Sequence, residues 1–304
     1  MNPLLLVNPR ARLVETEPDL VPRLVRCLEM HGVPCDLLVT THPGHATELT
    51  REAVQQGRPA VIVAGGDGSV NEVVNGLLGT SVALGVIPLG TGNALGHYLG
   101  LEPGDLKAAC GLIQQGNLRP LDVGRFNDRH FANMAGVGLD AQVASQVGRV
   151  WKRLLGGQAF VGQFLQTVFS QRPWRFWATL DGQELEGCLW ALFVCNSSQY
   201  TWRVSFTPQA QPDDGLLDFI LLHGCRRDQL LRVSAEIFAR GRSAEQQPHM
   251  QVLRGRRLEL RTEPPVPWQV EGEVGGLSPV RCELMPAAIK LLGPRRSSAE
   301  PVRS

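Results

Sequence analysis

Over the first 120 residues, short runs that are apolar throughout alternate with stretches whose apolar residues recur every three or four positions. Residues 4–7 (LLLV) read as a buried strand. Leu20, Leu24, Cys27 and Leu28 then recur at helical spacing, and Gly32 stops that helix. Residues 35–41 (CDLLVTT) read as a second strand, followed by a helix that ends at Gly57. Residues 60–64 (AVIVA) form a third strand, and a helix follows to about Leu78. Residues 83–89 (ALGVIPL) form a fourth, ending in Gly90-Thr91-Gly92-Asn93 with another helix after it. Apolar strands separated by helices predict a parallel sheet covered on both faces. Ligands of such folds bind beyond the carboxyl ends of the strands, where both glycine-rich turns lie.

After about residue 120 the period changes. RFWATLDGQELEG carries an Asp-Gly turn between two extended arms, a hairpin signal. CLWALFVC (188–195), LLDFILL (216–222), RRLELRT (256–262) and PWQVEGE (267–273) also read as strands. One helical stretch, roughly 141–170, interrupts them. The expected organisation is an α/β domain over 1–120, joined by the chain end 284–304, and a β-rich domain over 121–283, with a cleft between them. The polar tail is expected to fray after residue 294.

Composition narrows the classes. A chain of 304 residues with 43% hydrophobic and 19% charged residues describes a globular protein with a sizeable core. A net charge of +1 argues against a protein built to neutralise nucleic acid. Only three residues are lysine (107, 152 and 290), which reads first as composition bias. The seven cysteines contain no Cys-x-x-Cys pair, which argues against a zinc site or a redox pair and suits free thiols in a reducing cytosol. The first residues lack a signal-peptide pattern, and no run approaches the ~20 apolar residues that span a bilayer. The expectation is a cytoplasmic protein, peripheral if it meets a membrane at all.

The turn Gly65-Gly66-Asp67-Gly68 lies between a strand and a helix. Glycines there let backbone N–H groups approach a phosphate, and the helix terminus adds partial positive charge. A simpler account of its flank is that Ser69 and Glu72 form a capping box. The second turn, Gly90 to Asn93, would reach the same sheet edge. Neither turn is a Walker loop, because no Gly-Lys dipeptide occurs, and neither fits a dinucleotide fingerprint. Phosphate would be held by amides and by the hydroxyls of Ser69, Thr91 and Thr41. Asp67 would repel a polyphosphate unless a divalent cation bridges them or it takes the proton of an attacking hydroxyl; its other reading is a local turn stabiliser.

Gly65-Gly66-Asp67-Gly68-Ser69-x-Asn71-Glu72 and Pro88-Leu89-Gly90-Thr91-Gly92-Asn93 resemble the nucleotide-binding motifs of diacylglycerol-kinase-type lipid kinases, a family that includes bacterial soluble lipid kinases and sphingosine kinases. Matches continue at Thr41 with Gly44-His45-Ala46, at 121–124, at Gly136-x-Gly138-x-Asp140, from Pro208 to Asp218, and at Glu271-Gly272-Glu273. The resemblance implies an α/β nucleotide-binding domain with a β-sandwich-like partner, ATP and Mg2+ as cofactors, and transfer of the γ-phosphoryl group to a lipid hydroxyl. By it, Asn8, Thr41, Gly65 to Ser69, Asn71, Glu72 and Gly90 to Asn93 hold the nucleotide. Asp214, the Leu216 carbonyl and Gln211 hold magnesium, a cation suited to oxygen donors. Glu273 is the leading general base, with Glu271 and Asp67 behind it. For the two glutamates the plain reading is a solvated hairpin turn, and for Asp213 and Asp214 a polar loop.

Two segments depart from the family. Asn8-Pro9 continues as Arg10-Ala11-Arg12 without glycine, and Gln199 to Arg203 replaces a glycine run, which bears on acceptor choice. Val143, Val147, Trp151, Leu154 and Leu155, with Arg149, Lys152 and Arg153 beside them, have the spacing of a basic amphipathic helix that could lie on a lipid surface, although such stripes are more often core. The competing functions are an NAD-kinase-like enzyme for a soluble hydroxyl, and a nucleotide- or lipid-binding protein without turnover. Homodimerisation and the identity of the lipid stay open.

Overall fold

A computed structural model of the chain describes residues 1–139, 141, 172–201, 204–205, 207–224, 226–240 and 243–295. The amphipathic stripe expected over 143–155, Asp140, Trp202, Arg203 and the last nine residues lie outside the described residues. The chain divides into two compact units. The first comprises Met1–Val123, Gln211–Gly215 and Met285–Ser304; the second comprises Gly124–Ala210 and Leu216–Leu284.

The first unit is built on parallel strands. β1 (Leu4–Val7) lies between β2 (Asp36–Val39) and β3 (Ala60–Gly65). β3 pairs in turn with β4 (Ala83–Pro88), and Lys290 and Leu291 of β17 (Val280–Leu292) extend the sheet beyond β4. The apolar runs of β1, β3 and β4 are buried throughout, as an interior parallel sheet requires. β2 departs from that expectation. It pairs with β1 alone, and Leu37, Leu38 and Val39 are 39%, 43% and 44% exposed, so its apolar run belongs to an edge strand.

The helices between the strands are α1 (Arg12–Thr16), α2 (Leu20–Met30), α3 (His45–Gln55), α4 (Asp67–Leu77), α5 (Ala94–Tyr98) and α6 (Leu106–Gln115). The expected stops hold: Gly32 and Gly57 take positive φ just past α2 and α3. Helix α3 packs closely on α4, and a Cβ at Gly76 would fall 2.6 Å from Thr50 Cβ.

The second unit is antiparallel. β8 (Trp174–Leu180) and β9 (Gln183–Cys195) form the expected hairpin about Asp181-Gly182, both at positive φ. The two runs expected as separate elements, 183–187 and 188–195, are one 13-residue strand. Its first half pairs with β8. Its second half pairs with β7 (Met134–Gly138) on one side and β12 (Leu217–His223) on the other. Both faces of that second half are covered. Leu192 and Val194 enter a core with Phe219, Trp268 and Phe126, while Trp190 and Phe193 pack with Ile220, Leu230, Val233 and Ile237. The last three come from α7 (Arg227–Arg240), which the sequence pattern did not reveal. Trp174 and Phe176 are core, whereas the Trp177 ring meets the guanidinium groups of Arg175 and Arg261 at 5.3 and 4.7 Å.

The remaining strands are β5 (Leu118–Phe126), β6 (Arg129–Phe131), β10 (Gln199–Thr201), β11 (Val204–Ser205), β13 (Met250–Gly255), β14 (Arg257–Glu263), β15 (Pro267–Val270) and β16 (Glu273–Leu277). PWQVEGE is therefore a strand, a two-residue turn and the start of the next strand.

Candidate active site

The parallel register of β3 and β4 sets Gly65 opposite Pro88, so the two glycine turns leave the sheet side by side. They touch. A Cβ on Gly90 would fall 2.4 Å from Gly66 Cα, and a Cβ on Gly92 would fall 2.2 Å from Asp67 Oδ2. Glycine is required at both places by contact, without any appeal to a ligand.

Asp67 is the first residue of α4, and its carboxylate points to the second turn. Oδ2 accepts from the Asn93 N–H at 2.9 Å and Oδ1 from the Ala94 N–H at 2.7 Å, at the start of α5. Burial raises its pKa, against the lowering effect of those amides. Asn93 is held left-handed, with φ 55° and ψ 44°. Its Oδ1 accepts from Gly90 N–H at 2.9 Å and its Nδ2 donates to Gly90 O at 2.8 Å. Asp67 and Asn93 thus lock the two turns together.

The amino end of α4 has Gly66 as its N-cap, with no side-chain cap. The capping box expected from Ser69 and Glu72 is absent, because α4 begins two residues before Ser69. The Ser69 hydroxyl accepts from Asn8 Nδ2 at 2.7 Å. Glu72 Oε2 accepts from the Ala46 N–H at 3.0 Å, and Thr47 Oγ1 donates to Glu72 O, so Glu72 ties α4 to the first turn of α3. Gly68 and Thr91 are exposed, and Asn71 is half-buried. Asn8 Oδ1 accepts from Arg10 N–H, which is how the turn after β1 closes without a glycine. Thr41 is exposed after β2, with His45 Nδ1 3.1 Å from its backbone nitrogen.

A second acidic group lies in the first unit. Asp122 is 3% exposed in β5; its Oδ2 accepts from Gly215 N–H and its Oδ1 from Ala287 N–H, both at 2.7 Å. Its pKa is raised, first by burial and then by Asp214 and Asp213. Asp213, with a fully buried side chain, pairs with Arg119 at 2.9 Å, and the Arg119 guanidinium covers the Tyr98 ring at 5.0 Å. The loop Gln211–Gly215 is thereby fastened to β5 and, through Tyr98, to α5. Asp214 is half-buried and Gln211 exposed. Asp122 entered the sequence reading only as part of the family match at 121–124, with no site role, and Arg119 not at all. An acid between buried Leu121 and Val123 was the available signal for Asp122.

In the second unit, Glu271 and Gly272 form the turn between β15 and β16 at φ 51° and 80°. Glu271 Oε1 accepts from the N–H groups of Ala132 and Asn133 at 3.1 and 2.7 Å. The same 132–133 turn receives Asn196 Nδ2 on the Ala132 carbonyl at 2.8 Å and the Ser197 hydroxyl on Asn133 Oδ1. Asn133 and Ser197 were not singled out from the sequence. Glu273 opens β16 as an exposed residue.

Comparison with known proteins agrees with this architecture. Residues 2–126 match the family described as the diacylglycerol kinase catalytic domain, and residues 133–293 match the YegS C-terminal NAD kinase beta sandwich-like domain. A diacylglycerol kinase of Bacillus subtilis (strain 168) is 29% identical over 259 residues, 84% of this chain and 85% of that protein. A Chromohalobacter salexigens protein named "Probable lipid kinase YegS-like" is 31% identical over 265 residues, 86% of this chain and 84% of its own length. A crystal structure from Bacillus anthracis str. Sterne, provisionally described as a diacylglycerol kinase, superposes with a TM-score of 0.79 at 26% identity, covering 96% of this chain and 95% of that one. The α/β fold with a sandwich-like second domain and the resemblance drawn from the motifs are both borne out, and this chain belongs to the diacylglycerol kinase family of lipid kinases.

Proposed function

We propose that this protein is an ATP- and Mg2+-dependent lipid kinase that moves the γ-phosphoryl group of ATP to the hydroxyl of a diacylglycerol-like, phosphatidylglycerol or sphingoid lipid. The observation that carries the reading is the pair of contacting glycine turns at the carboxyl edge of β3 and β4, the first of which opens an eleven-residue helix with no side-chain cap. Backbone N–H groups at such a helix start suit phosphate. Asn8, Thr41, Gly65 to Ser69, Asn71 and Gly90 to Asn93 are the nucleotide set, with Glu72 as a brace behind it.

The acid in the phosphate loop is then understandable. The Asp67 carboxylate is turned onto two amides of the second turn, so its charge is held by N–H donors. In this reading Asp67 positions the loops, and the base is Glu273, the last residue of the family's acidic-Gly-Glu motif, which is exposed to solvent. Glu271, by contrast, holds the 132–133 turn. The lipid oxygen attacks the γ-phosphorus, the bond from that phosphorus to the bridging oxygen of ADP breaks, and Glu273 takes the hydroxyl proton.

The donor set of the 211–216 segment fits magnesium. Three carboxylates crowd there; Asp213 is paired with Arg119 and Asp122 holds backbone amides. By the family resemblance the donors would be Asp214, Gln211 and the Leu216 carbonyl, all hard oxygen atoms. Magnesium there would supply charge neutralisation for the phosphates. Among the described residues no helix is long and apolar enough to cross a membrane, and we take the lipid to be met at a bilayer surface by a peripheral, cytoplasmic protein.

The test is transfer of label from γ-labelled ATP to diacylglycerol, phosphatidylglycerol and a sphingoid base in mixed micelles, with NAD as the soluble control acceptor. The expected result is a labelled lipid that disappears on chelation of magnesium. Label in NAD, or ATP bound with no transfer to any acceptor, overturns the reading.

A further inference from the structure

Apart from the glycine turns, the first unit gathers three soft donor side chains that phosphoryl transfer does not use. Cys27 and His31 stand one turn apart at the end of α2, and Cys110 reaches them from α6; their donor atoms all lie within 4.8 Å of one another. Cys27 Sγ is 3.8 Å from His31 Nδ1 and 3.6 Å from the Leu106 carbonyl. Cys110 is fully buried, while Cys27 and His31 are half-buried, so the cluster is dry on one side and reachable on the other.

One ring nitrogen of the histidine is already engaged. Its Nδ1 lies 2.8 Å from the Cys27 carbonyl oxygen. A carbonyl only accepts, so Nδ1 carries the hydrogen and the lone pair sits on Nε2. Metal-bound histidines commonly have their other nitrogen held by a carbonyl in this way. Nε2 faces α6, 3.9 Å from the position a Cβ on Gly111 would take.

We propose that Cys27, His31 and Cys110 form a binding site for a thiophilic divalent cation of the zinc class, which staples α2 to α6. Two thiolates and one imidazole suit zinc and exclude magnesium, whose preference is oxygen, so the site does not compete for the cation of the kinase reaction. Tetrahedral zinc at ~2.0–2.3 Å sets its donors about 3.5–3.8 Å apart, so the three side chains would close in on binding. Three protein donors leave the fourth position to solvent. Binding replaces two thiol protons: one divalent ion enters, two S–H bonds break, two metal–sulfur bonds form, and two protons leave to buffer. The absence of a Cys-x-x-Cys pair concealed the site, because its second cysteine comes from a helix about 80 positions further along the chain.

The experiment uses the full chain, reduced and stripped with a chelator, then titrated with Co2+ and back-titrated with Zn2+. The expected result is one Co2+ per chain with an intense sulfur-to-cobalt charge-transfer band, its displacement by Zn2+, release of close to two protons per ion, and a Tm that rises with zinc concentration. Cys27→Ser and His31→Gln alter half-buried residues, and circular dichroism checks their folding. Each should weaken cobalt binding by at least about tenfold, and Cys27→Ser should also diminish the sulfur band. Cobalt bound without a sulfur band, as the stacked His42 and His45 rings could do, overturns the proposal. So does a band that both variants leave unchanged.

Discussion

The turn between β3 and α4 and the turn between β15 and β16 each place an acid beside a glycine, and each acid takes two backbone N–H groups from another part of its own unit. Asp67 does so with both oxygens and closes one glycine turn on a second. Glu271 does so with one oxygen, from a left-handed backbone, and fixes the turn at 132–133. Two residues further on, Glu273 is exposed at the start of a strand. Asp67 and Glu271 shape turns, and the proposed function gives the chemistry to Glu273. A carboxylate engaged by amides is held in place, whereas a general base has to reach a proton on a substrate.

The largest effect should come from the exposed acid. Glu273→Gln is expected to lower kcat for lipid phosphorylation by about 10²–10⁴-fold with the KM for ATP and the Tm unchanged. Glu271→Gln keeps an acceptor oxygen for Ala132 and Asn133 and should stay near wild type. Equal losses in the two variants would erase the distinction between them.

Next is Asp67→Ala, which removes the acceptor of two partly buried amides. We expect a loss of about 1–3 kcal/mol in stability. The kcat/KM for ATP should fall by about ten- to a hundredfold through KM, because the second turn loses its tie. A variant that binds ATP normally and fails only in kcat would return Asp67 to the chemistry itself.

One glycine beside each of the two amide-held acids sharpens the comparison. Gly92→Ala drives a methyl into Asp67 Oδ2 and should cost about 1–3 kcal/mol, with weaker ATP binding. Gly272→Ala meets open space, and the left-handed backbone alone should cost about 1–2 kcal/mol. Denaturant midpoints for both, with ATP titrations, decide whether contact or conformation dominates. An alanine at 92 that leaves ATP affinity intact would remove the contact between the turns from the site.

What the sequence made legible follows from the range of each interaction. The apolar runs of β1, β3 and β4, the Asp-Gly hairpin and the glycine stops are local, and they were readable. The burial of β2 was misread, because an edge strand and a central strand carry the same run of Leu-Leu-Val; only the neighbour, which sequence does not display, tells them apart. The Ser69 and Glu72 pattern looked like a capping box, yet Glu72 caps a helix 26 residues earlier in the chain. Helix α7 escaped notice because its buried residues cover one face of β12 while the other face of that strand supplies the sandwich core. For the site, the phosphate-type turns were readable as residue types. The Asp67 tie across 26 residues, the Asp122 tie across 165 and the Glu271 tie across 138 were not, since each acid's partner is a backbone amide that any residue could supply.

The smallest effect concerns pH. Burial raises the Asp67 pKa in the folded chain above its unfolded value of about 3.9. Between those two values the folded state binds more protons than the unfolded state, so stability falls as pH rises. Below about 3.9 both states are protonated and the penalty is absent; above the raised folded pKa it is complete. Asp67→Asn has no proton to exchange there. The stability of the wild type relative to Asp67→Asn should therefore decline as pH rises through that window and level off beyond it, while Asp122, raised for the same reason, titrates alike in both proteins and cancels. Denaturant unfolding at closely spaced pH values measures the difference. A relative stability that climbs with pH would mean that the two amides outweigh desolvation, and that the tie between the turns is stronger with the carboxylate charged than burial allows.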